Sequence, residues 1–362
     1  MKRSGRKLSN MVLVCLAALV IFSLNGCSKK TAKVGENGKA LTRFDVPWTT
    51  TGIGNPLLAI AIDQKYFEEE GLDVILNPLN TSGNVDQLMA VSTGKIDLAF
   101  GSGTTAPLLF IEQGNDLVIV GGVMGEGAAL ITRPENQAQY ANFTKDSLNG
   151  KRIGAIRANT GDVALRGWLS RQGADLSKIT FVELDSAATI LEAVRKGELD
   201  VGNIFVNWRV VAEEQGLPVV LHVDDLTSNF PCCRLSTTKK NIEKRREDYV
   251  AFFRALIRAY KVYTFEHEKT LDIADKFYDA DRGLKQNQYY DYGHYNLNPD
   301  PGKKPVQTFY DGMVSVGYAK GGADIASHVD ASIYGDALNQ ILKDYPNDPF
   351  YQGVKKHFDE NN

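Results

Sequence analysis

Two adjacent cysteines, Cys232 and Cys233, are the side chains of this sequence best suited to chemistry. Outside a reducing compartment, neighbouring thiols can close a strained vicinal disulfide. Pro231 precedes the pair and Arg234 follows it, so an oxidised pair would present a rigid apolar plate beside a cation. A reduced pair that packs as two small apolar side chains explains the sequence equally well, and both forms stay open. A soft-metal site is less favoured, because no histidine or methionine lies nearby in the sequence.

Motifs of the common enzyme classes are absent from the sequence. It has no phosphate-binding Walker loop, no His-Glu-x-x-His motif, no Gly-x-Ser-x-Gly motif and no dinucleotide glycine fingerprint. The five histidines are scattered: His222, His267, His294, His328 and His357. We therefore predict a protein that is not an enzyme and that uses no cofactor and no metal.

The first 27 residues have the pattern of a bacterial lipoprotein export signal. Four basic residues come first, namely Lys2, Arg3, Arg6 and Lys7. An apolar run over Met11–Phe22 follows, too short to span a bilayer, which takes roughly 20 residues. Leu24–Cys27 then resembles a lipobox, which implies cleavage before Cys27 and lipidation of that cysteine. The sequence thus predicts an extracytoplasmic protein anchored to the cell membrane by lipid.

The negative net charge of the chain argues against a polyanion as its partner. The whole chain has a net charge of −3, and removal of residues 1–26, which carry four basic and no acidic side chains, leaves 336 residues with a charge of −7. Nucleic acid and anionic lipid surfaces attract clustered Lys and Arg, so neither is an expected partner. Residues 27–41 are rich in Lys, Gly, Asn and Thr, which predicts a flexible tether.

An internal repeat indicates how the rest of the chain is organised. The segment Leu88–Asp97 recurs as Leu191–Asp200, with Leu, Ala, Val, Gly and Asp in the same order and spacing. Each copy predicts a helix, a glycine cap and a buried strand. Asn55 followed by Pro56 is typical of a helix start, and Gly71 predicts the end of that helix. We expect two similar α/β lobes, each with a parallel sheet covered by helices on both faces.

In such lobes the loops after the strands feed helix N-termini, where backbone N–H groups bind small polar or anionic ligands. Merely capping a helix is the more common use of any single Thr or Ser in these loops. The ligand-binding candidates from these loops and from the cysteine segment are Trp48, Thr50, Thr51, Asn55, Ser82, Gly83, Ser102, Gly103, Thr104, Glu126, Asn159, Thr160, Asp162, Asp185, Asn207, Cys232, Cys233 and Arg234.

Four segments, together with their order in the chain, resemble a known family. They are Trp48–Gly52, Leu88–Phe100, Leu191–Asp200 and Phe309–Leu338. The sequence is similar to solute receptors of ABC importers, in the branch of nitrate, sulfonate, taurine and thiamine-precursor (NMT1/THI5-like) receptors. The resemblance implies a type II periplasmic-binding-protein fold, α/β, with two lobes joined by two crossing strands around a central cleft. It places residues 42–122 and 235–362 in the first lobe and residues 123–234 in the second.

The same resemblance implies a function. A small molecule would enter the cleft, the hinge would close over it, and the ABC permease and its ATPase subunits would receive it; the receptor is expected to be a monomer. Arg234 and the loop hydroxyls favour a sulfonate- or taurine-like anion. Carboxylates at Glu126, Asp162 and Asp185 favour instead a pyrimidine thiamine precursor or another aromatic heterocycle. An enzyme of the same fold, acting through the Cys232–Cys233 loop, is the third alternative.

Overall fold

The computed structural model describes residues 33–35, 38–79 and 84–362 of the chain. It confirms the predicted fold class, because strands and helices form two α/β lobes. The expected export signal, the lipidation site at Cys27 and the candidates Ser82 and Gly83 lie outside the described residues. Within those residues, no helix combines the length and the apolar character that crossing a membrane requires.

Strands of two to nine residues make up the sheets. They are β1 Thr42–Trp48, β2 Leu72–Pro78, β3 Ala99–Gly103, β4 Leu117–Gly125, β5 Ala128–Ile131, β6 Arg152–Ala155, β7 Thr180–Glu183, β8 Val201–Phe205, β9 Val219–His222, β10 Pro231–Thr238 and β11 Asn296–Leu297.

The α-helices are named in chain order. They are α1 Pro56–Asp63, α2 Tyr66–Glu69, α3 Asn84–Ser92, α4 Thr105–Glu112, α5 Thr160–Arg171, α6 Ala187–Lys196, α7 Arg209–Glu214, α8 Val223–Leu226, α9 Lys239–Phe265, α10 His267–Phe277, α11 Arg282–Gln286, α12 Lys303–Ser315, α13 Ser332–Asp344 and α14 Pro349–Asn361. Single turns of 3₁₀ helix occur at Leu176–Lys178, Val206–Trp208 and Ile325–His328, a longer one occurs at Pro134–Tyr140, and a π-helical turn spans Asn287–Asp291.

The first lobe contains a four-stranded sheet in the order β11-β4-β10-β3, with the parallel pair β1-β2 beside it. β10 runs antiparallel to both β3 and β4, so this sheet is mixed rather than parallel as we predicted. The difference arises because β10 returns from the second lobe in the opposite direction. Helix α9 then packs its buried aromatic residues against this lobe.

The second lobe contains a five-stranded sheet in the order β7-β6-β8-β5-β9. β6, β7 and β8 are parallel, as expected for strands joined by helices. β5 enters from the first lobe and pairs antiparallel with β8 and β9, so this sheet is mixed as well. The parallel pairs β1-β2, β6-β7 and β6-β8 thus consist of strands that helices connect within one lobe.

Two short connections join the lobes. The first links β4 to β5, and the second runs from β9 through α8 to β10. Glu126 and Asn229 occupy the left-handed region in these connections, with φ of 64° and 56°. They are tied together, because the Asn229 N–H donates to Glu126 Oε1 over 2.9 Å and the Glu126 N–H donates to the Phe230 carbonyl over 2.8 Å. We therefore propose that the hinge lies at these residues, beyond the paired part of β4 and β10.

The helix start at Asn55 is confirmed, since its Oδ1 accepts hydrogen bonds from the N–H groups of Leu57 and Leu58. The predicted end at Gly71 is wrong. Helix α1 stops at Asp63, because Lys65 adopts a left-handed conformation with φ of 58° and starts the separate helix α2. Gly71, with φ of 86°, ends that second helix instead.

Candidate functional site

A cavity of about 250 Å³ lies in the first lobe at the carboxyl ends of β1 and β3. Fourteen residues line it: Pro47, Trp48, Thr49, Gly54, Asn55, Leu58, Gln87, Phe100, Gly101, Val123, Met124, Cys233, Tyr278 and Tyr295. They come from β1, β3, β4, β10, α1 and α3, and from the segments after α10 and before β11. The ends of several strands and the start of α1 therefore converge on one small volume, as they do at ligand sites in α/β folds.

Aromatic rings form most of one wall. Trp48 stacks on Tyr278, with ring centroids 5.1 Å apart and planes inclined by 29°. Phe277 meets the Trp48 ring edge-on at 5.8 Å, and Tyr295 lies 5.9 Å from Tyr289. Burial raises the pKa of both Tyr278 and Tyr295, so each stays a neutral phenol at physiological pH. The wall suits a flat apolar or aromatic ligand.

Two carboxamides supply the polar part of the cavity. Asn55 caps helix α1 through Oδ1, which leaves its buried Nδ2 with no hydrogen-bond partner among the described residues. Gln87 is buried, and its Oε1 accepts from the Phe100 N–H over 3.1 Å. An unpartnered buried donor is costly, so an acceptor in the cavity would satisfy Asn55 Nδ2.

The two cysteines are free thiols with their Sγ atoms 3.6 Å apart, and they face different surroundings. Cys233 lines the cavity. Cys232 is buried, and its Sγ lies 3.4 Å from Thr160 Oγ1. The neighbouring Cys232 and burial hold the pKa of Cys233 well above its usual range, so it is a thiol rather than a thiolate. The cavity thus carries a weakly polar sulfur rather than a charged nucleophile.

Helix N-termini from both lobes meet at Cys232. The carbonyl of Cys232 accepts from the Thr104 N–H over 2.9 Å and from Thr104 Oγ1 over 3.2 Å, at the start of α4. Thr160, at the start of α5 in the second lobe, contacts the Cys232 thiol. Asn159 caps α5, since its Oδ1 accepts from the Gly161 N–H. The structure therefore brings these sequence candidates together, beside the cavity rather than within its wall.

Other predicted residues lie near the cavity or around its rim. Thr50 and Thr51 are exposed, and their loop is held by Asp279, whose N–H donates to the Thr50 carbonyl over 3.0 Å. Ser102 is buried, its Oγ has no partner among the described residues, and Gly103 pairs with Cys233 across β3 and β10. These residues lie beside the cavity and do not line it.

Arg234 points away from the cavity. It lines a separate cavity with Asp300, and its Nη1 donates to the carbonyl of Cys233 over 2.9 Å. Burial lowers the pKa of Arg234 to about 10, while Asp300 acts in the opposite direction. Cys233 and Arg234 line different cavities, although the register of β10 shifts on both sides of Arg234.

The carboxylates among the sequence candidates are not part of the wall of this cavity. Asp162 is buried, and it accepts from Arg166 Nε and from the Tyr318 hydroxyl, each over 2.7 Å. Glu126 lies in the connection between β4 and β5, and Asp185 and Asn207 are exposed. Among the described residues, no charged side chain lines the cavity that contains Trp48.

Sequence reasoning missed most of the cavity wall. Gln87, Phe100 and Met124 sit inside regular elements, and Tyr278 and Tyr295 come from segments about 230 residues beyond β1. Of these residues, only the two tyrosines could have been suspected from the sequence, because several tyrosines cluster between Tyr278 and Tyr295. Their convergence depends on the C-terminal segment folding back onto the first lobe.

Two mixed α/β lobes, two connections and a cavity at the strand ends define a protein of the periplasmic-binding-protein type. The chain belongs to the NMT1/THI5-like family, which it matches over residues 56–269. This confirms the family suggested by the sequence motifs. The match begins at helix α1 and runs through the whole second lobe and all of α9 to the first residues of α10.

Individual proteins resemble the chain at low identity. A formylaminopyrimidine-binding protein of Halalkalibacterium halodurans is 24% identical over 266 residues, which cover 70% of this chain and 76% of the relative. The aliphatic sulphonate binding protein SsuA of Escherichia coli has a TM-score of 0.63 at 17% identity, covering 80% of this chain and 92% of SsuA. The nitrate-binding protein NrtA of Synechocystis PCC 6803 has a TM-score of 0.64 at 13% identity, covering 85% and 90%. These structural likenesses show a shared fold.

Proposed function

We propose that this protein is a solute receptor of an ABC importer, anchored outside the cell membrane by lipid on Cys27. Membership of the NMT1/THI5-like family and the two-lobed fold support the receptor role. The ligand would bind in the Trp48 cavity and be handed to the permease and ATPase subunits. Binding, closure and release need no covalent chemistry.

The ligand class that the cavity fits best is a small, neutral, planar heterocycle such as a pyrimidine. The observation that carries this assignment is the lining itself, which combines the rings of Trp48, Tyr278 and Tyr295 with the amides of Asn55 and Gln87. Rings can stack on a flat ligand while carboxamides pair with its ring nitrogens and exocyclic groups. At about 250 Å³, the cavity lies just below the usual range of roughly 300–1,000 Å³ for ligand pockets. A single-ring compound suits that volume.

A sulfonate or taurine-like anion, favoured by the sequence, fits this cavity less well. That preference depended on Arg234, whose side chain lies on the opposite face of β10 near Asp300. An anion in the Trp48 cavity would lose its hydration without meeting a cation among the described residues. The relative named for formylaminopyrimidine agrees with the heterocycle, and the resemblance to SsuA concerns the fold.

Contacts between the lobes provide a route from binding to closure. The Tyr318 hydroxyl, beyond α12, donates to Asp162 on α5 of the second lobe. The guanidinium groups of Arg157 and Arg166 lie 4.8 and 5.3 Å from the centre of the Tyr318 ring. These contacts exist only while the lobes are together, so a ligand that bridges the lobes would strengthen them by shifting the population toward closure.

Replacement of the stacking ring tests the site. We expect Trp48→Ala to weaken binding of hydroxymethylpyrimidine by about 10-fold or more, since one aromatic stacking contact plus buried area contributes about 1.5 kcal/mol or more. Trp168→Ala is the matched control, because Trp168 packs on Phe143 in the second lobe, away from the cavity. Equal affinity of the two variants, measured by calorimetry, would rule out the Trp48 cavity as the binding site.

Anchoring is tested separately. The Cys27→Ala variant should lose the acylation point, so the protein should accumulate as an unprocessed precursor or leave the membrane fraction. Fractionation and mass spectrometry of the N-terminus measure both outcomes. A variant that is processed and partitions with membranes like the wild type would refute the lipid anchor.

The enzyme alternative differs in a measurable way. The Sγ of Cys232 contacts Cys233 and the Thr160 hydroxyl, and no histidine or carboxylate is among its hydrogen-bond partners in the described chain. A nucleophilic cysteine is normally activated by such a base. We expect stoichiometric binding without conversion of a bound compound, and catalytic turnover would favour the enzyme.

A further inference from the structure

A second polar cluster lies where the end of β9 meets the C-terminal segment. His222 is the last residue of β9, Asp224 is in the first turn of α8, and His294 precedes β11. One ligand atom from each of these side chains lies within 4.8 Å of the other two. The cluster combines two imidazoles and a carboxylate, a ligand set typical of zinc and other divalent transition metals.

The contacts inside the cluster leave donor atoms available. His294 Nδ1 lies 2.5 Å from Asp224 Oδ2, and the rings of His222 and His294 stack with centroids 3.5 Å apart. The second oxygen, Asp224 Oδ1, is buried and has no hydrogen-bond partner among the described residues. The Asp224 side chain as a whole is only 10% exposed. A buried carboxylate oxygen without a donor is costly, and a metal ion would satisfy it.

Surrounding groups favour a cation at this position. Asp225 follows Asp224, and Glu126 lies near enough to both Asp224 and His294 to interact with their charges. Arg209 is a cation that interacts with His222, but its guanidinium lies 3.8 Å from the centre of the Tyr292 ring and pairs with Glu213. The Tyr292 hydroxyl in turn lies 3.1 Å from His222 Nδ1 and can orient that ring, as groups outside the metal ligands do in metal sites.

We propose that His222, Asp224 and His294 bind a divalent transition metal ion of the zinc class and thereby tie the two lobes together. His222 and Asp224 belong to the connection that leaves the second lobe, whereas His294 leads into β11, which pairs with β4 of the first lobe. Metal–ligand bonds of about 2.0 Å in a tetrahedral site place ligand atoms about 3.3 Å apart. The planes of the two imidazole rings are inclined by only 14°, so at least one ring would rotate to point its nitrogen at the ion. The proton between His294 and Asp224 would be released to solvent, and water would be the fourth ligand.

Zinc titration of the full-length, chelator-treated protein tests the proposal. The wild type should bind one zinc ion per chain, and Asp224→Asn should reduce the affinity by about 100-fold or more. Groups that only orient ligands cost roughly 10- to 100-fold when removed, so loss of a ligand should cost at least the upper value. His267→Ala is the control, because His267 is exposed on α10 and contacts Tyr290. Equal zinc affinity of Asp224→Asn and His267→Ala would overturn the site.

X-ray absorption of the zinc-loaded wild type provides a readout that needs no variant. Two imidazole nitrogens and carboxylate or water oxygens at about 2.0 Å are expected. A sulfur shell at about 2.3 Å would instead place the metal on Cys232 and Cys233 and would refute the assignment. Absence of stoichiometric zinc binding, or weak binding that a brief gel filtration removes, would refute it as well. None of these results depends on which solute the Trp48 cavity binds.

Discussion

The same pair of hydrogen bonds holds β1 in the first lobe and β6 in the second lobe. In the first lobe, Asp97 Oδ2 accepts from the Asp45 N–H over 2.7 Å, and the Asp97 N–H donates back to the Asp45 carbonyl over 2.8 Å. In the second lobe, Asp200 forms the same two hydrogen bonds with Arg152, over 2.8 and 2.9 Å. These aspartates are the last matching positions of the sequence repeat, so the repeat preserves a strand-start contact.

Both aspartates also accept a hydroxyl from the strand that crosses between lobes. Thr237 Oγ1 on β10 donates to the Asp97 carbonyl over 2.8 Å, and Thr132 Oγ1 after β5 donates to the Asp200 carbonyl over 2.7 Å. Each crossing strand is thereby fixed to the repeat unit of the lobe that it enters.

The two copies differ in the origin of their arginine. Asp97 pairs with Arg245 from helix α9, and Tyr249 of the same helix donates to the Asp97 carbonyl. Asp200 pairs with Arg152, the residue whose backbone it already holds. In the second lobe the arginine that pairs with Asp200 comes from the same lobe. In the first lobe the arginine that pairs with Asp97 comes from a helix about 150 residues later in the chain. The first lobe therefore needs the C-terminal segment both for the Arg245 contact and for the cavity wall formed by Tyr278 and Tyr295.

Matched glycine substitutions should give the largest difference between the lobes. A Cβ at Gly122 on β4 would lie 2.3 Å from the backbone oxygen of Asp300, in the C-terminal segment. A Cβ at Gly154 on β6 would meet the end of the Leu199 side chain at 2.4 Å, and that side chain can move. We expect Gly122→Ala to lower the free energy of unfolding by about 3 kcal/mol or more and Gly154→Ala by about 1 kcal/mol. Urea denaturation that finds equal losses would contradict the proposed dependence on the C-terminal segment.

The aspartates themselves provide the next test. Asp97→Ala should cost about 2–3 kcal/mol, because it removes the hydrogen bond to β1 and leaves Arg245, only 28% exposed, without this partner. Asp200→Ala should cost about 1–2 kcal/mol, because the Arg152 side chain is 45% exposed and water can replace the carboxylate. Denaturation curves of both variants measure the difference, and a larger loss for Asp200→Ala would reverse the comparison.

The two cysteines test different parts of the molecule, because Cys233 lines the cavity and Cys232 contacts the second lobe. Cys233→Ala should weaken heterocycle binding by about 5-fold with little change in melting temperature, because Cys233 lines the cavity. Cys232→Ala should lower stability by about 1 kcal/mol with little direct effect on affinity, because Cys232 packs against Thr160. Calorimetry measures the affinity of each variant, and thermal unfolding measures its stability. Equal changes of affinity and of melting temperature in the two variants would contradict these separate roles.

The hinge should contribute a small pH dependence. Burial raises the pKa of Glu126 and the nearby Asp224 adds to the rise, so folding favours the protonated carboxyl. Stability should therefore fall as pH rises from the unfolded value of about 4.3 toward the raised folded value, and Glu126→Gln should remove this dependence. Because the group is partly exposed, the effect should stay below about 1 kcal/mol. Unfolding of the metal-free protein between pH 4 and 8 measures it, and parallel curves for both proteins would contradict it.

The features of the fold that could be predicted from the sequence are those that depend on short stretches of the chain. The Asn55 cap, the repeat around Gly94 and Gly197 and the alternation of strands and helices each follow from short-range patterns, and the structure has them. The mixed sheets and the separate helix α2 were not predicted, since strand direction depends on the crossings and Lys65 has no sequence signature of a left-handed turn.

The candidate site was predicted less completely. Trp48, Asn55 and Cys233 line the cavity, but the direction of Arg234 depends on the register of β10, which has bulges beside that residue. Tyr278 and Tyr295 reach the cavity through tertiary contacts of the C-terminal segment, which no local pattern encodes.

A calorimetric titration of the full-length protein tests the central claim most directly. Hydroxymethylpyrimidine and formylaminopyrimidine would be compared with taurine, an alkanesulfonate and nitrate. We predict stoichiometric binding of at least one pyrimidine and no measurable binding of the anions, because the Trp48 cavity offers rings and amides without a cation among the described residues. Stoichiometric binding of a sulfonate or nitrate, with no response to either pyrimidine, would contradict the account.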